Sequence, residues 1–466
     1  MPCDFYTLRE LFKVYKELEG QEVLVRGWAK TIRDQKSFAF INLSDGTQFK
    51  TLQLVVSSDK FGENQELIRQ GTSTAYEASG IVRLTPGSKQ DFELEVTNLK
   101  VLGSCPPEYP LQPKRHSPEF LRTIPHLRPR TNLFQAAFRI RSEAAFAIHE
   151  FFHSRGFVYV HTPIITSDDA EGAGQMFNVS SLPLESLPLK DDGSVDFSQD
   201  FFSKACMLTV TGQLHVEAFA QAFTNVYTFG PTFRAEHSNT PRHAAEFWMI
   251  EPEISFADLN DDMNLAEDML SFVLNRILER CATELEFLNQ FVDKNLLDRL
   301  QKQAKSNFAR ISYTDAIKEL EKNNGQFKYP VTWGADIQTE HEKFLTDKVF
   351  NGPVFVHDYP AEIKAFYMRI NEDGKTVAAM DGLVPGIGEL IGGSQREERI
   401  DKLIEMIERK GLKLEDYSWY VDLRRFGTSK HAGFGLGFER LIMYLTGINN
   451  IRDVLPYPRT TGQAMF

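Results

Sequence analysis

Residues 228–253 read TFGPTFRAEHSNTPRHAAEFWMIEPE, and the reading of this block decides the fold. Two apolar runs flank a polar stretch, HSNTPRHAA (237–245), that is too short for a helix with a turn at each end. The block predicts strand, loop, strand, with Arg234 and Glu236 at the mouth of the loop. Further along, GFGLGFER (433–440) runs through Gly433, Gly435 and Gly437 into the apolar FERLIMYL, which predicts a tight backbone entry to a helix carrying Arg440. Arginine keeps its charge and presents a planar fork of donors, so two such cations, before a loop and at a helix start, suit a bound polyphosphate. An ion pair at the surface would account for either arginine alone. The two together, each set in an apolar strand or helix, favour the anion.

These blocks resemble the second and third signature motifs of class II aminoacyl-tRNA synthetases. The first motif has a counterpart in FRIRSEAAFAIHEFFHSRGFVYVHTPIIT (138–166): a long amphipathic helix, a break at Gly156, then a β-branched strand carrying Pro163. EGAGQMF (171–177) and TGQL (211–214) follow, an order similar to the branch that charges aspartate or asparagine. The resemblance covers nearly the whole chain. It implies an α+β protein whose catalytic domain is a six-stranded antiparallel sheet flanked by helices. It also implies a C2 homodimer built on the first motif, where Ala137, Ile140, Ala144, Ala147, Ile148 and Phe151 form one stripe that could equally be core.

The N-terminal part reads independently. Residues 20–102 carry five alternating, β-rich segments with turn signals at Ser44-Asp45-Gly46 and Pro86-Gly87, and a short helix is expected at 63–71. Five strands with a helix after the third fit an OB-fold barrel, a common reader of single-stranded nucleic acid. The proline-rich, basic stretch 104–130 reads as a linker or hinge, giving an anticodon-binding domain at 1–103 and a catalytic domain at 131–466. A helical insertion is expected near 258–345, where Leu265, Met269, Phe272, Val273 and Ile277 recur at helical spacing, and an acidic surface loop at 182–202.

Composition sets bounds. The chain has 466 residues, 42% hydrophobic and 25% charged, enough for two or three domains with sizeable cores. Its start is polar and mixed in charge, unlike a secretory signal or transit peptide, and no apolar run is long enough for a membrane span. Cys3, Cys105, Cys206 and Cys281 are far apart, which argues against a disulfide framework or structural zinc and suits a reducing cytoplasm. A net charge of −12 disfavours indiscriminate nucleic-acid binding, although Lys114, Arg115, Arg122, Arg128, Arg130, Arg139 and Arg141 form a local basic track.

The resemblance assigns the site residue by residue. Arg234 would bridge the α-phosphate of ATP and the substrate carboxylate, and Arg440 would lie against the adenine or hold the terminal phosphate. Glu236 would face the adenine or the tRNA end, Arg242 and His243 would approach the phosphates, and Phe247 would stack on adenine, unless it is simply a core residue of its strand. In AAMDGLVPGIGELIGGSQREER (378–399), Asp381 and Glu389 correspond to carboxylates that hold Mg²⁺, an ion that takes hard oxygen ligands and few protein contacts. Archaeal-type aspartate enzymes carry a hydroxyl three residues past this glutamate, where this chain has Gly392, so a serine-type metal contact is not expected at that position.

For the amino acid, Glu171 and Gln213 match positions around the α-amino group, and Arg396 matches the arginine that bonds the side-chain oxygen. Aspartate enzymes show a lysine where this chain has Val216 and an aspartate where it has Glu251. Losing a cation and extending an acid both favour a neutral amide. His215 reads as a pocket-wall residue. In the barrel, Phe40 matches a stacking phenylalanine, with core packing as its alternative, and Gln53 matches an amide that reads the central base of the anticodon. The expected activity is therefore ATP-dependent activation of L-asparagine and its transfer to the terminal adenosine of tRNA(Asn). An aspartate–tRNA ligase of relaxed specificity, an ammonia-dependent asparagine synthetase and a non-catalytic RNA-binding paralogue are the rivals. Val216, the OB-like segment and the intact Arg234, Glu389 and Arg440 speak against them in turn.

Overall fold

The computed structural model describes residues 5–35, 37–57, 71–88, 90–169 and 176–466. All but the last residue of the helix expected at 63–71, and Glu171, lie outside the described residues. The chain divides into two compact units, Met1–Ala136 and Ala137–Phe466.

In the first unit, β1 (Glu22–Asp34), β2 (Phe38–Ser44), β3 (Leu52–Ser57), β4 (Ala75–Leu84) and β5 (Phe92–Gly103) close into a barrel in the order β1-β2-β3-β5-β4. Closure follows from the period-two pattern: Val23 and Val25, Ala39 and Ile41, Leu52 and Leu54, and Leu94 and Val96 all point inward and are buried. The helix Leu8–Val14, opened by a capping box at Thr7, seats Leu8 and Leu11 in the same core. Each such fully buried aliphatic side chain contributes about 1.5–3 kcal/mol.

In the second unit, β7 (Ile165–Thr166), β8 (Asn178–Val179) and β9 (Cys206–Leu208) form a small sheet of their own, and eight strands form one larger sheet. Its middle is the expected antiparallel six: β13 (Val354–Pro360), β14 (Thr376–Val384), β15 (Gly388–Gln395), β16 (His431–Gly437), β11 (Glu246–Ser255) and β10 (Asn225–Phe233). Two short strands, β12 (Ala309–Ser312) and β6 (Val158–Tyr159), add parallel edges and make eight of six. The helix Leu259–Arg280 covers one face, with Met269, Val273 and Ile277 buried as packing residues. The expected insertion is helical at Ala282–Phe291, Leu296–Gln303 and Tyr313–Glu321, but it also supplies β12. The stripe from Ala137 to Phe151 on the helix Asn132–Ser154 is wholly buried, so within a single chain it is core.

Two members of the basic track are structural. Arg128 is buried over the ring of Phe134. Arg141 donates to the buried Glu439 at 2.7 Å and lies over Phe438.

Candidate active site

The block that opened the sequence forms β10, a loop and β11, paired from Asn225↔Ile254 to Phe233↔Glu246. Arg234 follows the last residue of β10, its N–H donating to Ala245 O across the loop at 3.0 Å. Its guanidinium lies 5.5 Å from the centroid of the Phe247 ring, a cation–π arrangement. The C-terminal segment secures the loop from outside: Ala245 N–H donates to Arg459 O and Ile451 N–H to Pro241 O.

These elements border a cleft of about 910 Å³, open to solvent. Arg234, Glu236, Arg242, His243, Phe247, Glu389 and Arg440 all line it. All seven residues expected around ATP thus converge on one cavity. Its floor is formed in part by the glycines of β15 and β16. Gly392, Gly435 and Gly437 line it, and a Cβ at Gly392 would crowd Glu389 Oε1 at 3.3 Å. Bare backbone at Gly437, where an added Cβ would meet nothing closer than 3.9 Å, leaves room for a flat ligand to lie against the sheet.

Arg440 donates to the carboxylate and the carbonyl of Glu389, both at 3.1 Å. The same missing Cβ at Gly392 would lie 3.7 Å from Asp381 Oδ1, so both carboxylates face one space. Two hard carboxylates converging beside the cationic cleft fit Mg²⁺. They are not equivalent, however. Lys364 Nζ donates to both oxygens of Asp381, at 3.0 and 2.9 Å, whereas Glu389 is the more exposed acid. Burial raises the Asp381 carboxyl, with Lys364 opposing and Glu389 adding to the rise. In the loop, Arg242 Nη1 donates to Thr339 Oγ1 at 3.3 Å and His243 Nδ1 pairs with Thr240 Oγ1. Burial lowers the His243 imidazole below its ordinary value.

Of the residues expected around the amino acid, Glu251 lies further along β11, Arg396 follows the last residue of β15, and Gln213 opens a helix. Glu251 is buried and accepts from Gly212 N–H at 2.8 Å and from the Thr211 hydroxyl. Arg396 is buried and held in a fork, Nε and Nη2 each donating to Glu253 at 2.9 Å while Nη1 donates to Ser394 Oγ at 2.8 Å. Gln213, the first residue of the helix Gln213–Phe223, is also buried. Val216 corrects an expectation: it sits with Val160, Ala220 and Val226 in a closed apolar cluster. His215 stacks on Trp419.

One feature escaped sequence reasoning. Glu217 is fully buried and binds Arg424, His431, Tyr420 and Gln213. Ligand atoms of Glu217, Glu253 and His431 lie within 4.8 Å of one another. Arg396 and Arg424 already pair the two carboxylates, so the cluster is an ion network and not a cation site. Its only sequence signal is that Glu217 lies one helical turn beyond Gln213.

In the barrel, Phe40 lies between the buried Ala39 and Ile41 and therefore faces outward, opposite Arg33 on β1 and Val55 on β3. Arg33 lies over its ring, 5.8 Å from the centroid. Gln53 shares that outer face and donates to Glu93 at 3.0 Å. Core packing is thereby excluded for Phe40.

The chain belongs to the class II tRNA synthetases of the D, K and N group, whose family pattern matches residues 117–461. The pattern for OB-fold nucleic acid binding domains matches residues 23–102. The chain is 59% identical, over 98% of its length and 99% of the relative's, to the asparagine–tRNA ligase of Acetivibrio thermocellus. It is 56% identical, over 98% of its length and 99% of the relative's, to that of Bacillus cereus. Among solved structures it resembles asparaginyl-tRNA synthetase from Pyrococcus horikoshii complexed with asparaginyl-adenylate, at 32% identity and a TM-score of 0.86 over the whole of both chains. The Entamoeba histolytica asparaginyl-tRNA synthetase bound to the same adenylate is similar at 27% identity, with a TM-score of 0.82 over 96% of this chain and 97% of that one.

Proposed function

We propose that this chain activates L-asparagine with ATP and transfers it to tRNA(Asn). The observation that carries the reading is a cationic cleft on an antiparallel sheet in a chain 56–59% identical, end to end, to asparagine–tRNA ligases. In the first step the carboxylate of asparagine attacks the α-phosphorus of ATP. The bond to the bridging oxygen breaks and pyrophosphate leaves. In the second step a hydroxyl of the terminal adenosine attacks the adenylate carbonyl, and AMP leaves with the bonding pair.

Neither step needs a covalent nucleophile from the protein; positioning and charge neutralisation carry both. Arg234 bridges the α-phosphate and the substrate carboxylate, Phe247 stacks on adenine, and Glu236 faces the adenine or the tRNA end. Arg242, His243 and Arg440 meet the outer phosphates. Mg²⁺ would be held by Glu389, with Asp381 contributing, and supplies positive charge to the phosphates when bound. Arg396 donates to the side-chain oxygen of asparagine, Glu251 accepts from its NH₂, and Gln213 and Glu171 serve its α-amino group. Phe40 and Gln53 read the anticodon. The division into 1–103, a linker at 104–130 and a catalytic part at 131–466 is supported in outline by the family matches at 23–102 and 117–461, although the second match begins within the linker and the compact units divide after Ala136.

A C2 homodimer completes the reading. It is supported by apolar side chains exposed on the first-motif helix, Phe146 at 66%, and on the edge strand β6, Tyr159 at 50% and Val158 at 40%. A fully active monomer at nanomolar concentration in sedimentation would remove it. A cytoplasmic setting is supported by the free thiols of Cys105, Cys206 and Cys281, and no described helix is long and apolar enough to cross a membrane. The decisive experiment is ATP–pyrophosphate exchange with asparagine and aspartate side by side, each with and without tRNA. Asparagine should dominate. Equal exchange with aspartate would sink the assignment.

A further inference from the structure

The proposed chemistry leaves unused a fully buried acid near the amino-acid pocket, Glu217. Glu217 Oε1 accepts from Arg424 Nη2 at 2.9 Å and pairs with His431 Nε2 at 2.7 Å. Its Oε2 accepts from Gln213 Nε2 at 2.8 Å and from the Tyr420 hydroxyl. Burial raises its carboxyl, but Arg424, then His431 and Arg396, outweigh that and leave it below the ordinary carboxylate value. Glu217 is therefore ionised and has only acceptors to offer.

That fact constrains Gln213. An acceptor-only partner can meet only the NH₂ end of an amide, so the carbonyl end of Gln213 must point the other way. Gln213 Oε1 is buried and has no hydrogen-bond partner among the described residues. A buried acceptor left without a donor is unfavourable. It also sits at the right corner: Gln213 N–H donates to Thr211 Oγ1 at 3.1 Å, and Thr211 with Gly212 holds Glu251.

We propose that Glu217 is a positioning residue that locks the Gln213 amide with its carbonyl oxygen presented to the α-ammonium group of the substrate. The inference rests on the reading that asparagine lies between Glu251 and Arg396. A free glutamine amide flips at little cost, and its flipped form would set NH₂ against an ammonium group, donor against donor. The ion network removes that alternative. Arg424, His431 and Tyr420 fix the carboxylate, the carboxylate fixes the amide, and the amide selects an amino acid over its deaminated analogue.

The test compares asparagine with succinamate, which is asparagine without its α-amino group. Pyrophosphate exchange gives KM for asparagine and for ATP, competition gives the inhibition constant of succinamate, and thermal melting checks folding. Glu217→Gln should raise the asparagine KM by about ten-fold, the loss expected for one hydrogen bond to a charged group. The ATP KM and the succinamate inhibition constant should stay as they are. On a Gln213→Ala background the same substitution should add nothing. If Glu217→Gln does not fold, Tyr420→Phe, which removes one donor holding the carboxylate, should raise the asparagine KM in the same pattern but less. A parallel loss of succinamate binding, or an undiminished effect without Gln213, overturns the proposal. If instead Glu251→Gln leaves the asparagine KM untouched, the pocket has been misplaced and this inference falls with it.

Discussion

Glu251→Gln tests how the pocket tells an amide from an acid. Asparagine and aspartate have nearly the same shape, so donors and acceptors must separate them. Glu251 is 5% exposed, and its two oxygens already accept from Gly212 N–H and the Thr211 hydroxyl. An ionised carboxylate is an acceptor only, so what it can meet in a bound asparagine is the NH₂ end of the amide. Bound aspartate would instead bring a second carboxylate to within ~4 Å, a repulsion of about 4 kcal/mol at an effective dielectric constant of ~20. That corresponds to roughly a thousand-fold in discrimination. Glutamine at 251 removes the repulsion. It must also turn its oxygen to Gly212 N–H, which cannot reverse its polarity, leaving its NH₂ to face the substrate's NH₂. Asparagine then loses an interaction worth about 1.5–3 kcal/mol, while aspartate loses nothing and gains a donor. In pyrophosphate exchange, kcat/KM for asparagine should fall by ~10–100-fold, and the asparagine-to-aspartate ratio should fall with it. Equal losses for both substrates would mean that Glu251 merely anchors Thr211 and Gly212.

Three other outcomes are expected. Phe40→Ala should weaken tRNA charging by ~1–3 kcal/mol and leave pyrophosphate exchange intact, because its ring stands on the outer face of the barrel; loss in both assays would refute an RNA-stacking role. Glu389→Gln should abolish exchange while asparagine still binds by calorimetry, since it removes the freer of the two converging carboxylates; near-normal exchange at ordinary Mg²⁺ would take Glu389 out of the site. Val216→Lys should lower stability in chemical denaturation by more than about 3 kcal/mol, because the lysine would enter the apolar cluster with Val160, Ala220 and Val226. A stable variant with new aspartate activity would show that position 216 faces the pocket after all.

What could be read in the sequence was whatever a local period or an unusual residue in an apolar run reveals. Alternation along 20–102 is sufficient for the barrel, because each strand must bury one face. The strand–loop–strand block at 228–253 is equally local. The edge strand β12 was missed because four residues cannot display a period, whereas the strand expected after Gly156 is realised only in part, as the two residues of β6 and, beyond Pro163, Ile165–Thr166. Arg141 read as part of a basic track because its partner, Glu439, lies 298 residues away. Val216 read as a missing pocket cation because a position relative to Gln213 does not say which way a helical side chain points; here Val216 is buried with the apolar cluster, while Glu217 joins the ion network.

The helical insertion makes the same point about chemistry. Its pattern suggests packing and nothing more, yet its short helix Thr339–Phe344 reaches the cleft twice. Thr339 Oγ1 accepts from Arg242, and Glu342 Oε2 accepts from Glu389 N–H at 3.3 Å. Glu342 fits only because residue 388 is glycine: a Cβ there would overlap its carboxylate. Burial, then the charge of Glu389, pushes the Glu342 carboxyl up to about 7. The loop that carries Arg242 and the strand that carries Glu389 are thus tied to a single helix. Before any nucleotide arrives, Arg440 rests on Glu389 and Arg242 on the helix. On the proposed reading, an incoming polyphosphate would take Arg242 and Arg440 over from partners already in place. The insertion would then belong to the nucleotide site, since it holds residues that the phosphates would have to displace or share.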